Sequence, residues 1–158
     1  MRLDRPIDHA AFVTWDVQAT HDFYVHVMGW PLAAAWGRED GTPPFFQIGF
    51  DAGGWLLEFE WQEGLARPAP VAPSFPHLAF AVDASADVDG WEAHVAGAGV
   101  PSMRFGDSLY FTDPNDLTFQ VYVKEPHGTP EEQLAKSRAN LDAFLAARSS
   151  PSCGRSTP

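Results

Sequence analysis

The chain has little with which to hold a polyanion or cross a bilayer. Of its 158 residues, 10 are Lys or Arg against 21 Asp or Glu, a formal charge of −11, which is the wrong sign for neutralising phosphates or docking on anionic lipid. Nucleic acid and membrane are therefore excluded as expected partners. No apolar run approaches the length of a membrane span, and the opening MRLDRPIDHA lacks the apolar stretch of a secretion signal, so a cytoplasmic protein is expected. Cysteine is nearly missing too. Cys153, in the polar end SSPSCGRSTP, is the only one, which removes a disulfide framework, a thiolate metal cluster and a cysteine nucleophile with a positioned base. What is left is a chain of single-domain size, able to bury a core without covalent staples.

What is present repeats. At an offset of 68, His9, Ala11, Phe12, His26, Val27 and Gly29 fall on His77, Ala79, Phe80, His94, Val95 and Gly97, the mark of two copies of one unit. The first copy opens with a strand over 7 to 14. Asp16 then caps a helix with Thr20, Phe23, Tyr24, Val27 and Met28 on one side, stopped at Gly29. The second opens with a strand over 75 to 83; Asp83 or Ser85 caps a helix carrying Val88, Trp91 and Val95, which ends in Gly97 and Gly99. Three strand-like runs follow each helix, at 31 to 37, 44 to 50 and 54 to 62, then at 100 to 105, 108 to 113 and 117 to 123.

The expected fold is therefore α+β, with two βαβββ modules at 6–62 and 75–124 joined by a Pro- and Ala-rich linker at 63–74. Thr129-Pro130-Glu131-Glu132 reads as a capping box that opens a C-terminal helix over 129–147, with Leu134, Leu141, Phe144 and Leu145 as its apolar stripe. A polar, disordered tail is expected over 149–158.

Strand side chains alternate faces, so each strand divides into two rows. Trp55, Leu57, Phe59 and Trp61 form an apolar row fit to lie under the helices, leaving Leu56, Glu58, Glu60 and Gln62 on the other side. In the last strand Leu117, Phe119, Val121 and Val123 leave Thr118, Gln120 and Tyr122 opposite. His9 and His77 lie in small, apolar rows of the two opening strands. If those rows share a side with Glu58 and Gln120, each module brings one imidazole and one oxygen donor to a cavity. Neutral imidazole with carboxylate or amide oxygen suits zinc, iron, nickel, cobalt or manganese, and two His with one Glu leaves positions open for substrate. The competing reading is a pair of core histidines, each satisfied by one hydrogen bond, and a polar sheet face covered by water.

These segments resemble a known family. The two βαβββ units, the opening IDHAAFVTWDVQATHDFYVHVMGWPL, the mid-chain FPHLAFAV and the closing LYFTDPNDLTFQVYV look like the vicinal oxygen chelate superfamily, which includes glyoxalase I, extradiol dioxygenases, fosfomycin-resistance enzymes and bleomycin-binding proteins. The resemblance covers residues 6 to 124. It implies a cupped mixed sheet around one divalent metal ion, with His9, Glu58, His77 and Gln120 as ligands, Glu60 as the fallback for Glu58, and a homodimer. The chain departs from the family pattern at Asp116, where glycine is usual, and at Gln120, where glutamate is usual. The match to the fosfomycin-resistance branch, carried by GDSLYFTDP, is weaker than that to glyoxalase-like members.

In glyoxalase-like members a ligand glutamate also acts as base, which the resemblance transfers to Glu58. Alternation adds Gln47, Arg104 and Tyr110 to the cavity beside Glu60, with Arg104 able to clamp a substrate carboxylate. Trp30, Trp36, Phe45 and Trp61 are candidates to line a pocket for a flat molecule. The expected function is metal-dependent lyase, isomerase or dioxygenase chemistry on a small oxygen-rich molecule, an aromatic one being among the candidates. The alternative is a metal-free protein that sequesters an antibiotic or another aromatic ligand.

Overall fold

The structure, a computed structural model, describes residues 7–37, 45–67, 77–124 and 129–149. The first module runs β1 (His9–Val13), α1 (Val17–Asp22), β2 (Leu32–Gly37), β3 (Phe45–Asp51) and β4 (Leu56–Gln62). The second runs β5 (His77–Val82), α2 (Ser85–Gly97), β6 (Ser102–Phe105), β7 (Ser108–Thr112) and β8 (Thr118–Val123). Each module folds its strands into a mixed four-stranded sheet. Sheet A has the order β1-β4-β3-β2 and sheet B the order β5-β8-β7-β6. In both, the opening strand lies at an edge, parallel to the last strand of its module. A C-terminal helix, α3 (Pro130–Ser149), belongs to a separate unit that begins at Glu125. Of the expected tail over 149–158, Ser149 instead ends α3, and residues 150–158, like residues 68–74 of the linker, lie outside the described residues.

Both module helices start and stop where their sequences require. The Asp16 carboxylate accepts from Ala19 N at 3.0 Å, satisfying one of the helix's unpaired donors, and Gly29 and Gly99, at φ +69° and +72°, take the left-handed conformation that ends each helical segment. At α2 the cap is Ala84, one residue from either expected candidate, and the Asp87 carboxylate reaches back to Ala84 N at 3.1 Å. In α3 the capping box forms as expected: Thr129 N donates to Glu132 Oε2 at 2.8 Å and Glu132 N to Thr129 Oγ1 at 3.3 Å.

One expectation needs correction. The segment from Asp16 to Gly29 is not a uniform α-helix, because after Asp22 it widens into a π-turn over Phe23–Val27, closed by Met28 N to Phe23 O at 3.0 Å. The wider turn lets two adjacent aromatic rings, Phe23 and Tyr24, both enter the core.

Those rings join the modules. Tyr24, fully buried, lies 4.9 Å from Phe59 of sheet A and 6.2 Å from Phe119 of sheet B, centroid to centroid. Phe23 lies 6.5 Å from Phe111 of sheet B. The helix-facing sides of both sheets thus enclose one core, filled from sheet A by Ile48, Phe50, Leu57 and Phe59 and from sheet B by Leu109, Phe111, Phe119 and Val121. Burial of each such side chain stabilises by about 1.5–3 kcal/mol. Val88 and Val95 of α2 are fully buried in the same core, as their spacing predicts.

A polar network fastens the junction. The Tyr24 hydroxyl donates to Asp113 Oδ2 at 2.9 Å. Asp113, in the turn DPND between β7 and β8, also accepts from the backbone N–H groups of Asn115 and Leu117, both at 2.8 Å. Asn115 Nδ2 donates to Thr20 Oγ1 at 3.0 Å, and Asn115 Oδ1 accepts from Trp15 N at 3.2 Å. A turn of the second module is thereby tied to the helix start of the first.

Replacing Tyr24 by Phe removes one donor from the buried carboxylate while keeping the ring. The expected cost is about 1–2 kcal/mol of unfolding free energy, read from urea denaturation with an unchanged circular dichroism spectrum. Burial raises the Asp113 carboxyl above its ordinary range, more than its hydrogen-bond donors lower it. With the folded value above the unfolded one, the stability contributed by this group is fully present below the ordinary carboxylate range and is lost as pH rises through the raised value. Relative to Asp113→Asn, the unaltered chain should lose stability as pH climbs; a difference that stays flat or grows would refute this.

Candidate functional site

Strand register decides which residues share the open sides of the sheets, away from the helices. On sheet A, β1 pairs β4 with Ala11 opposite Glu58 and His9 one like-facing position earlier, opposite Leu56. Paired residues project to the same side, so His9 and Glu58 share the open side. Sheet B repeats the arrangement, with Ala79 opposite Gln120 and His77 opposite Thr118. Glu58 and Gln120 are therefore structurally equivalent. Their sequence separation of 62 falls short of the 68-residue offset between His9 and His77 because the second module is more tightly connected. In each module a small alanine lies across from the oxygen donor and leaves room in front of it.

The geometry around Glu58 distinguishes it from Glu60. Glu58 is only 6% exposed although it faces the open side. Its Oε2 accepts from Gln47 Nε2 at 2.7 Å. Across from it on β3 stands Gly49, where an added Cβ would come within 3.3 Å of Glu58 Cγ. A side chain at position 49 would crowd the Glu58 Cγ by a few tenths of an ångström while leaving Oε1, at 3.8 Å, in ordinary contact, so glycine here lets Glu58 lie close against β3. Glu60, opposite Val13 and Gln47, stands on the same open side and is half-buried.

The His9 ring is half exposed, and its Nδ1 lies 2.9 Å from the Asp8 carboxylate. Hydrogen bonding to Asp8 raises the imidazole above its ordinary value, and the negative charge of Glu58 adds to this. With Nδ1–H donating to Asp8, the neutral ring presents Nε2 as its ligating atom. On sheet B, Gln120 Nε2 donates to Ser108 Oγ at 3.0 Å, leaving the amide oxygen as the atom able to ligate. This diagonal contact is the counterpart of that between Gln47 and Glu58. Tyr110 lies opposite Gln120, its ring centroid 6.2 Å from that of His77.

Arg104 is not in the cavity. It pairs with Leu109 and so lies on the helix-facing side, where Nη1 meets Asp89 Oδ1 at 3.1 Å and Glu92 Oε2 at 3.4 Å and Nε donates to Gly106 O at 2.6 Å. The carboxylates of α2 reverse the expected polarity of this edge strand, and Met103 and Phe105 turn outward instead, 63% and 79% exposed. Of the aromatic candidates, Trp36 and Phe45 lie on the open side of sheet A, opposite Gln47 and Gln62. Trp30 packs in the core against Phe80, 5.5 Å between centroids, and Trp61 pairs with Phe46 on the helix-facing side; neither lines the cavity. Asp8, Gly49 and Ser108 are the neighbours that sequence reasoning missed. Asp8 alone left a signal, as the acidic residue directly before His9.

Because Tyr24 touches the helix-facing sides of both sheets, the two open sides of one chain look away from each other. Consistently, among the described residues no group of three or more His, Cys, Asp or Glu could hold a metal ion. One chain carries the His9–Glu58 pair and the His77–Gln120 pair on opposite surfaces. The donor set itself suits a divalent ion: Glu58 is a nearly buried carboxylate with an imidazole beside it, and a buried negative charge calls for a compensating cation. Two further histidines have structural settings. His94 Nε2 lies 2.7 Å from Val27 O and links α2 to the end of the first helical segment, and His21 Nδ1 lies 3.1 Å from Asp22. His127 lies outside the described residues.

No curated protein matches the chain by sequence. Among solved structures, FosX from Listeria monocytogenes complexed with Mn(II) and sulfate is 20% identical, with a TM-score of 0.62 over 84% of this chain and 99% of that one. FosX from Mesorhizobium loti is 24% identical at a TM-score of 0.60, covering 84% and 99%. Glyoxalase I of Leishmania major, described as trypanothione-dependent, is 16% identical at a TM-score of 0.63, covering 92% and 99%. At these identities the likeness is one of fold. The family described as Glyoxalase/Bleomycin resistance protein/Dioxygenase superfamily matches residues 6–121, which takes in both modules up to the strand carrying Gln120, and the chain belongs to that superfamily.

Proposed function

We propose that the chain is a divalent-metal enzyme acting on a small molecule with adjacent oxygens, and that its site forms between two copies. The observation that carries this reading is the placement of equivalent half-sites on outward-facing sheets. His9 and Glu58 of one chain would meet His77 and Gln120 of another, which completes a two-His, one-Glu set with an amide oxygen in the fourth place. Exposed apolar side chains on the same open sides support burial against a second copy: Val13 and Trp36 on sheet A are 39% and 43% exposed, beside Met103 and Phe105 on sheet B. Mn(II) in the Listeria FosX structure supports a divalent ion without fixing which one.

A divalent ion held there would act as a Lewis acid on the substrate oxygens, worth several kcal/mol toward a developing oxyanion. The chain's own residues would do the rest. Asp8 fixes the His9 tautomer through Nδ1, Gln47 holds one carboxylate oxygen of Glu58, and the other oxygen is left to take a proton from the substrate carbon. Tyr110 and Glu60 flank the space where the substrate would lie. Lyase or isomerase chemistry follows from such a proton transfer. The rival, a metal-free protein that sequesters an aromatic ligand, is favoured by the exposed aromatic rows and is decided by the same measurements.

Elemental analysis of protein purified without added metal should find a bound divalent ion that is lost in His77→Ala; metal-free protein that binds an aromatic drug tightly would favour the rival. Mixing His9→Ala with His77→Ala chains should restore bound metal and activity, because one of the two shared sites is then intact. Two pure variants that stay empty when mixed would place the whole site within a single chain. Gly49→Ala should shift the Glu58 side chain through its Cγ and lower metal affinity by about tenfold, read by competition with a chelator, while thermal stability changes little.

A further inference from the structure

The π-turn that admits Phe23 and Tyr24 to the core also rearranges the outer surface of the first helical segment. In a uniform α-helix, residues five apart stand about 140° apart around the axis. A π-turn closes from residue i to i+5 and so brings such a pair onto one side. His21, near the end of α1, and His26, inside the π-turn, are that pair. Their rings meet edge to face, 6.4 Å between centroids and 86° between planes. The second module differs: at the 68-residue offset stand Asp89, which meets Arg104, and His94, which lies against Val27 O, both on the uniform helix α2.

The surroundings prepare both rings to bind an ion. His21 leans on buried Phe50, 6.5 Å between centroids, while His26 is exposed. Asp22 Oδ1 lies 3.1 Å from His21 Nδ1 and accepts from Gln18 Nε2 at 2.8 Å. The hydrogen bond from His21, joined by that from Gln18, holds the Asp22 carboxyl below its ordinary range. An ionised carboxylate only accepts, so the neutral His21 ring carries its proton on Nδ1 and presents Nε2. This is the carboxylate–imidazole arrangement that orients metal-binding histidines. A ring nitrogen sits about 2.0–2.1 Å from a divalent ion, which puts two rings on one ion roughly 5–6 Å apart between centroids. A small rotation closes the difference, and His26 has room for it beside an open groove of about 620 Å³ that it shares with Trp91 and His94.

We propose that His21 and His26 form a second metal site, carried by one chain and independent of the shared site, for a late divalent transition ion of the Ni(II), Cu(II) or Zn(II) class. Among the described residues no third His, Cys, Asp or Glu completes a closed set, so water fills the remaining positions. The two ligands span most of the π-turn. An ion between them braces the segment that carries Tyr24 and favours the folded chain by mass action.

The test uses the full, untagged chain, unaltered and as the His9→Ala/His77→Ala double variant, which counts this site apart from the shared one. Calorimetric titration with Ni(II) should find one saturable site that survives in the double variant, is lost when His26→Ala is added, and weakens by about tenfold with Asp22→Asn. Pulsed electron paramagnetic resonance of Cu(II) bound to the double variant should show two imidazole ligands. Saturating Ni(II) should raise the melting temperature of the double variant, and the rise should vanish with His26→Ala while the circular dichroism spectrum stays unchanged. A Ni(II) site indifferent to His26→Ala, a single imidazole on Cu(II), or the same melting shift with and without His26 would overturn the proposal. Binding lost already in the double variant would overturn it too, while leaving the shared site standing.

Discussion

The Tyr24 side chain is the constraint on which the arrangement of this molecule depends. Its ring occupies the space between the helix-facing sides of two sheets, and its hydroxyl satisfies a buried carboxylate in the second module. A polar group at that depth must have a partner, and Asp113 is held in turn by its own turn backbone and by Asn115. Two modules built to the same plan are thereby locked with their apolar sides inward. The open sides, with the histidines, have nowhere to point but outward and apart.

From that orientation comes a division of labour that neither module shows alone. Each sheet carries its imidazole on an edge strand and its oxygen donor on the strand beside it, and each donor is steered by a diagonal neighbour, Gln47 for Glu58 and Ser108 for Gln120. The repeat has diverged around these donors. A glycine at position 49 stands where the second module has Tyr110, and a charged carboxylate stands where the second has a neutral amide. One half is shaped to surround an anionic side chain; the other offers neutral groups and exposed apolar surface. Such asymmetry suits a shared site in which one half supplies charge and the other supplies contact with the ligand.

Much of the fold was legible in the residues because local signals agreed with one another. The 68-residue repeat, the Asp16 cap, the glycines that end both helices and the alternation along β4 and β8 all point to two βαβββ modules, and the superfamily match over residues 6–121 shows the same. Alternation also put Gln47 and Tyr110 on the same side as Glu58 and Gln120, which the register bears out. It failed at β6. Arg104 is expected in the cavity, but α2 lays Asp89 and Glu92 over this edge strand and draws the arginine to the helix-facing side, leaving Met103 and Phe105 outward. The π-turn at Phe23–Val27 was invisible for a related reason: no local signal in the residues marks it, and it stands where two adjacent rings pack into the core.

The sequence by itself determined the modules, their order and the two side-chain rows of each strand, because side-chain period and turn chemistry are local properties of the chain; strand register put one imidazole and one oxygen donor on a common side in each. Only the tertiary structure decided which way those sides face, why Glu58 rather than Glu60 is enclosed, and that the single strand arginine belongs to a helix contact. Those depend on strand register and on what packs across the sheet, and both are fixed by residues far apart in the chain.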